Sequence, residues 1–171
     1  WLIEQNHGLK LPRALQQDFS LHVQQETDTH GKEMTQNALW QLFRSRYGLV
    51  TQPPLALLEY KTDSRQDGQL ALQGTLRVNG ETRRLQGHGN GLLSAAASGL
   101  SALLKQAFVI KDYHEHTLGE RSDSRSVAYI RCIFPNGDSR WGVGIDNDVA
   151  RASLQALCNA LSAADQAGGR K

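Results

Sequence analysis

Asn79-Gly80 and Asn136-Gly137 stand 57 residues apart, and each is framed by the same run of patterns. Asn and Gly tolerate the positive φ of a tight turn, so each dipeptide predicts a hairpin of two antiparallel strands. Ahead of the first turn, Leu70, Leu72, Leu76 and Val78 alternate with Ala71, Gln73, Thr75 and Arg77, the period of a strand with one buried face. Residues 83–86 return as its partner, and Leu93, Ala96, Ala97, Leu100 and Leu104 follow at helical spacing. The same order recurs downstream. Strands are predicted over 109–118, 127–134 and 140–145, then a helical stripe of Val149, Ala152, Ser153, Ala156, Ala160 and Leu161. Leu100/Leu157 and Leu104/Leu161 keep the offset of 57, while Gly87-x-Gly89 matches Gly142-x-Gly144 at 55. That difference reads as one module shortening a strand where the other lengthens its turn. The chain is therefore read as α+β, a tandem repeat of two βββα modules over 53–107 and 108–164.

A different period precedes the repeat. Up to Pro53-Pro54 the apolar spacing is four: Leu15, Phe19 and Val23 follow Pro12, a residue suited to a helix start. Thr29-His30-Gly31 breaks that stripe, Thr35 can cap a second helix carrying Ala38, Leu39, Leu42 and Phe43, and Tyr47-Gly48 closes it. Two isolated helices have little to bury, so their stripes need another surface. Three strands and one helix also bury little alone, so the modules should pair through helices or sheet faces. Residues 127–134 are apolar on both strand faces, which predicts cover from a helix on one side and from another module or subunit on the other. Dimerisation follows naturally, although a thicker monomeric core explains the same pattern.

Composition excludes several classes. Nineteen Lys+Arg against seventeen Asp+Glu give +2, too balanced for a nucleic-acid footprint, and Arg121, Arg125 and Arg131 are interspersed with acids. No apolar run approaches the roughly 18 residues of a membrane span. Two cysteines, Cys132 and Cys158, form neither a disulfide framework nor a four-ligand zinc site, which points to a reducing, cytoplasmic compartment. The chain starts at Trp1 without an initiator Met and without the apolar core of a signal peptide, as a piece of something larger would. In His114-Glu115-His116 both imidazoles share a strand face and can meet one ion. A catalytic zinc wants a third protein ligand, however, and His88 is the sole candidate near a glycine turn, so a solvated or hydrogen-bonded pair is the simpler reading. Asp112, Glu115 and Asp123 are carboxylates with no nucleophile marked by local spacing, and no catalytic residue is assigned. Gly87-His88-Gly89-Asn90-Gly91 precedes a helix, where free amides attract an anion such as a carboxylate. It lacks the spacing of a dinucleotide fingerprint, and a plain strand-to-helix turn needs glycine too.

Gly87-His88-Gly89-Asn90-Gly91, Asp112-Tyr113-His114-Glu115-His116, and Trp141-Gly142-Val143-Gly144-Ile145 with Ala152-Ser153-Leu154 together resemble the C-terminal regulatory part of the 2-isopropylmalate synthase family. His7-Gly8-Leu9 and Leu11-Pro12-Arg13 resemble that family's linker subdomain, so the likeness spans essentially the whole chain. The resemblance implies a helical linker subdomain over 1–50 and a leucine-binding, dimerising regulatory domain over 51–171. It further implies a parent acyltransferase that condenses acetyl-CoA with 2-oxoisovalerate, the committed step of leucine synthesis. The catalytic TIM barrel of that parent would lie upstream of Trp1 and hold the divalent metal; no cofactor is expected in this part.

Leucine between the modules of a homodimer is the implied effector. Gly89, Asn90 and Gly91 would offer amides to its carboxylate, while backbone carbonyls and Asp146 would receive its ammonium. Leu93, Ile110, Tyr113 and Ile145 would wall the aliphatic part. Ser94, Thr117, Ser124 and Ser126 fall at family pocket positions where members often carry Ala. Their hydroxyls would shrink and polarise the pocket, each costing about 1–3 kcal/mol if buried unpaired. Two other readings stay open: the same domain on a related condensing enzyme, such as a citramalate synthase answering to isoleucine, and a dimerisation scaffold whose glycine turns bind nothing.

Overall fold

The computed structural model describes residues 2–119 and 124–168, so Arg121 and Asp123 lie outside the described residues. Three helices come first: α1 (Leu2–His7), α2 (Arg13–His30) and α3 (Gln36–Tyr47). Thr35 caps α3 as expected, its hydroxyl accepting from Ala38 N at 3.1 Å, and Gly48 ends it at φ 89°. Then come β1 (Leu55–Ser64), β2 (Leu70–Val78), β3 (Glu81–Gly89) and α4 (Leu92–Leu104). The second module repeats the order as β4 (Val109–Leu118), β5 (Arg125–Ile133), β6 (Ser139–Asp146) and α5 (Val149–Gly168). Each module is a three-stranded antiparallel sheet, ordered β1-β2-β3 and β4-β5-β6.

The two hairpins differ by one residue. Val78 pairs with Glu81 across Asn79 (φ 51°) and Gly80 (φ 89°), whereas the second turn runs from Phe134 to Asp138, closed by Phe134 N–H to Asp138 O at 2.9 Å. The extra residue enters at the turn, and beyond it the registers run in parallel. Leu72 pairs with Gly87 as Ala128 pairs with Gly144, and Gly74 with Leu85 as Ile130 with Gly142. The repeat partner of Gly87 is therefore Gly144, at the same offset of 57 as the helices, and not Gly142. The apparent 55-residue match of the glycine pairs is a coincidence of spacing; Gly89 corresponds to Asp146. Packing agrees with this register. A Cβ on Gly87 would lie 2.0 Å from Ala95 O, and one on Gly144 would lie 2.2 Å from Ala152 O. These glycines let α4 and α5 lie directly on β3 and β6.

One core lies between the helices and the inner sheet faces. Leu72, Leu76, Leu85, Ala95 and Leu100 of the first module join Ala128, Ile130, Cys132, Ala156 and Leu157 of the second. The other face of the second sheet, with Val127, Tyr129, Trp141 and Val143, packs on Ile3, Leu9, Leu11, Leu15, Phe19, Phe43 and Tyr47. Both-sided burial of β5 thus has its second cover from the chain's own N-terminal helices, not from another module or subunit. The helix stripes find their missing surface there. Lys10 N–H donates to Tyr129 Oη and to His116 Nε2, both at 3.1 Å, and the two side chains lie 2.6 Å apart. The corresponding face of the first sheet presents exposed Gln73, Arg77, Arg84, Gln86 and His88, polar groups that need no cover.

Candidate functional site

The candidate residues are framed by two repeat-related pairings of a helix with the other module's edge strand, α5 with β1 in direct contact and α4 with β4 without contact of that extent. Along the first, α5 lies against β1. A bulge in β1 between Leu57 and Glu59 frees edge groups that antiparallel pairing leaves unsatisfied. Side chains at the start of α5 and in its first two turns take them up. Gln155 Oε1 accepts from Leu57 N at 2.9 Å, and its Nε2 donates to Leu55 O at 3.0 Å. Arg151 Nη2 donates to Leu58 O at 2.5 Å and to Leu57 O at 3.4 Å. Asp148 begins the helix, accepting from Ala150 N at 3.1 Å on one oxygen and from the Tyr60 hydroxyl at 3.0 Å on the other. Burial, and then the Asp148 carboxylate, raise the Tyr60 pKa, which keeps the phenol a proton donor.

The second seam has the same strand but not the same helix. A bulge in β4 between Ile110 and Asp112 repeats the one in β1, and Tyr113 follows it as Tyr60 follows the first. On α4, the counterparts of Asp148, Arg151 and Gln155 are Gly91, Ser94 and Ser98. These are too short to clasp a strand edge, and among the described residues α4 has no contact with β4 as extensive as that of α5 with β1. Gly91 starts α4 without a side-chain cap, in an extended conformation (φ −161°) with open space where a Cβ would stand. Ser94 and Ser98 are exposed, as are Val109 and, at 38%, Tyr113. The Tyr113 hydroxyl turns back within its own module, donating to Glu115 Oε2 at 2.5 Å and lying 2.8 Å from Ser153 Oγ on α5. Burial and then Glu115 raise its pKa.

Gly89, Asn90, Gly91, Leu93 and Ser94 therefore lie at the head of α4, with Ile110 and Tyr113 on the repeat-related edge strand. Gly89 is buried under the helix, where a Cβ would meet Ser94 Oγ at 2.4 Å, and Asn90 Oδ1 accepts from Gln69 Nε2 at 2.8 Å. Thr117, Ser126 and Asp146 are successive cross-strand partners on the α5 face of the second sheet, and Ser124 lies just before β5. Asp146 is engaged at the start of α5: it accepts from Asp148 N at 3.0 Å and lies 3.8 Å from Arg151 Nε. Thr117 is exposed and Ser124 and Ser126 are half-buried, so the desolvation cost of their hydroxyls is modest here. Ile145 stands apart. It pairs with Val127 on the opposite face, lining a cleft of about 510 Å³ with His7, Trp40 and Arg44 of the helical subdomain.

Other motif residues have structural partners. His116 holds Lys10 and Tyr129, while Asp112 is ion-paired with Arg131, whose guanidinium lies 5.4 Å from the Trp141 ring centroid. Tyr60, Asp148, Arg151 and Gln155 escaped the reading of the sequence. Aligning the modules at the helix offset of 57 shows the signal, since Asp, Arg and Gln stand at one spacing where Gly, Ser and Ser stand in the repeat.

Fold and seams together define a duplicated βββα domain, docked on a helical subdomain and joined tightly along one of two repeat-related seams. Residues 33–164 match the family of the LeuA allosteric (dimerisation) domain, and the chain belongs to that family. It is 41% identical to a 2-isopropylmalate synthase of Marinomonas over 162 residues, covering 94% of this chain and 29% of that protein. It is 38% identical to the 2-isopropylmalate synthase of Rhodospirillum rubrum (96% of this chain, 30% of that protein) and 33% identical to that of Thermobifida fusca (97% and 28%). The chain thus spans under a third of the length of these relatives. No helix among the described residues is long and apolar enough to cross a membrane.

Proposed function

We propose that this chain is the feedback sensor of a 2-isopropylmalate synthase, binding L-leucine in the seam between α4 and β4 and working as a homodimer in the cytoplasm. Binding there inhibits condensation of acetyl-CoA with 2-oxoisovalerate by the catalytic barrel of the same parent chain. The divalent metal belongs to that barrel, and no residue of this chain is assigned to it. The observation that carries the reading is the replacement of Asp148, Arg151 and Gln155 by Gly91, Ser94 and Ser98 in the repeat, which leaves a seam without its clasp. An α-amino acid presents an anion and a cation a few atoms apart, as Asp148 and Arg151 do. Its carboxylate suits the uncapped amides at the start of α4 and the Tyr113 hydroxyl, and its isobutyl group suits Leu93 and Ile110. The helical subdomain, bonded to β4 through Lys10 and His116, passes the preferred packing towards the barrel. Inhibition requires that leucine bind the inhibited arrangement more tightly than the active one.

Isothermal titration with leucine, with isoleucine and valine as controls, tests the reading. Leucine-selective binding that disappears in Tyr113→Ala and weakens in Gly91→Ala supports it. Preference for isoleucine moves the chain to a related condensing enzyme. No binding at millimolar leucine by the folded dimer refutes the sensor.

A further inference from the structure

The α5–β1 and α4–β4 seams are related by the internal repeat, yet among the described residues only the first is bridged by side-chain hydrogen bonds. We propose that α5–β1 is a permanent pivot between the modules, and that the effector closes the other seam by standing in for the missing clasp. This rests on the reading that α4–β4 is the effector seam.

The pivot is defined by its hydrogen bonds. Gln155 and Arg151 occupy the edge groups of Leu55, Leu57 and Leu58, and Tyr60 reaches Asp148. An edge satisfied in this way does not part without exposing several unpaired groups, each a substantial loss. Among the described residues no side-chain hydrogen bond ties α4 to the β4 bulge: Ser94 and Ser98 are exposed, and what holds that side is the apolar packing of Leu93 and Ile110 on the shared core. Two bodies held by directional hydrogen bonds along one line and by apolar contact alone along another give way first along the second, as a hinge does. A ligand bonded across the second seam favours the closed arrangement because only there does it reach both sides. The Tyr60–Asp148 contact shows what closure looks like. Tyr113 then leaves Glu115 and Ser153 and meets a carboxylate at the head of α4, as Tyr60 does at the head of α5.

Transplanting the clasp tests this without any ligand. Gly91→Asp, Ser94→Arg and Ser98→Gln place the α5 side chains on α4, at positions where Gly91 has open space and both serines are exposed. The triple variant is expected to melt several degrees above the parent chain, to slow amide exchange at 110–113, and to lose leucine affinity at least tenfold. Tyr113→Phe should remove at least half of the gain in melting temperature. An equal gain in the Tyr113→Phe background, or unchanged leucine affinity in the triple variant, overturns the proposal. If the triple variant does not fold, Gly91→Asp alone, paired with Tyr113→Phe in the same melts, makes the same measurement. Leucine titration of the unaltered chain judges the sensor reading, while the ligand-free coupling of Gly91→Asp to Tyr113 judges the pivot, so the two fail separately.

Discussion

Replacing Gly144 by Ala adds one methyl at the closest approach of α5 to its sheet. That carbon would stand 2.2 Å from Ala152 O and 2.7 Å from Ala156 N, both main-chain atoms of a helix that cannot rotate aside. Relief to an ordinary contact requires α5 to lift by about 1 Å, and α5 carries both the shared core and the clasp on β1. Overpacking of this kind costs typically 1–3 kcal/mol, and the upper end applies because backbone rather than a flexible side chain must give. At roughly 2–4 °C per kcal/mol for a chain of this size, the melting temperature should fall by about 6–12 °C. Gly91→Ala is the control. The same methyl there meets nothing within 4 Å and the backbone is extended, so only the weak cap preference is lost, about 1 kcal/mol or less. Thermal melts followed by circular dichroism, with urea unfolding at constant m, measure both. A Gly144→Ala variant within about 0.5 kcal/mol of the parent would refute the argument, since α5 would then ride loosely on β6.

Three further outcomes follow from the same contacts. Gln155→Met leaves Leu57 N and Leu55 O without partners, so stability should fall by about 1–3 kcal/mol and exchange of the Leu57 amide should quicken, read by urea titration and hydrogen exchange. Tyr129→Phe removes the phenol shared by Lys10 N and His116, costing about 1 kcal/mol and loosening the helical subdomain, with exchange of the Lys10 amide as the direct readout. Burial pushes the thiols of Cys132 and Cys158 up to about 12, so at pH 8 both stay protonated and a disulfide reagent should label them only as the chain unfolds. Rapid stoichiometric labelling of the folded chain would contradict that burial.

Much of the architecture was legible because its signals are local. Asn79-Gly80 and Asn136-Gly137 need their turns wherever they lie, Thr35 needs only its own helix, and the apolar period changes at Pro53-Pro54 without help from distant residues. The 55-residue match of the glycine pairs misled because equal spacing does not reveal strand register. Hydrogen bonding across the sheet sets Gly87 against Leu72 and Gly144 against Ala128, and a one-residue longer turn moved the alignment. The two-faced apolar strand β5 announced two covers but could not name them. The second proved to be a helical arm more than 80 residues earlier, brought back by burial of Leu15, Phe43 and Tyr47 on Tyr129 and Val143.

The candidate site divides along the same line. Gly89, Asn90 and Gly91 form a strand-to-helix junction that composition and period reveal, and Tyr113 sits on a strand read in its correct span. What those residues face depends on which helix crosses which strand edge. Asp148, Arg151 and Gln155 look like an ordinary polar helix face until α5 lies across the β1 bulge, and Gly91, Ser94 and Ser98 look unremarkable until the repeat shows what they replace. Ile145 joins the helical subdomain rather than Tyr113 because adjacent strand residues point to opposite faces, and the packing of whole layers assigns each face its neighbour. Periodicity and turn chemistry act within a few residues of the chain and are written there. A seam is made by groups distant in sequence, and its being open or clasped exists once the two modules are packed.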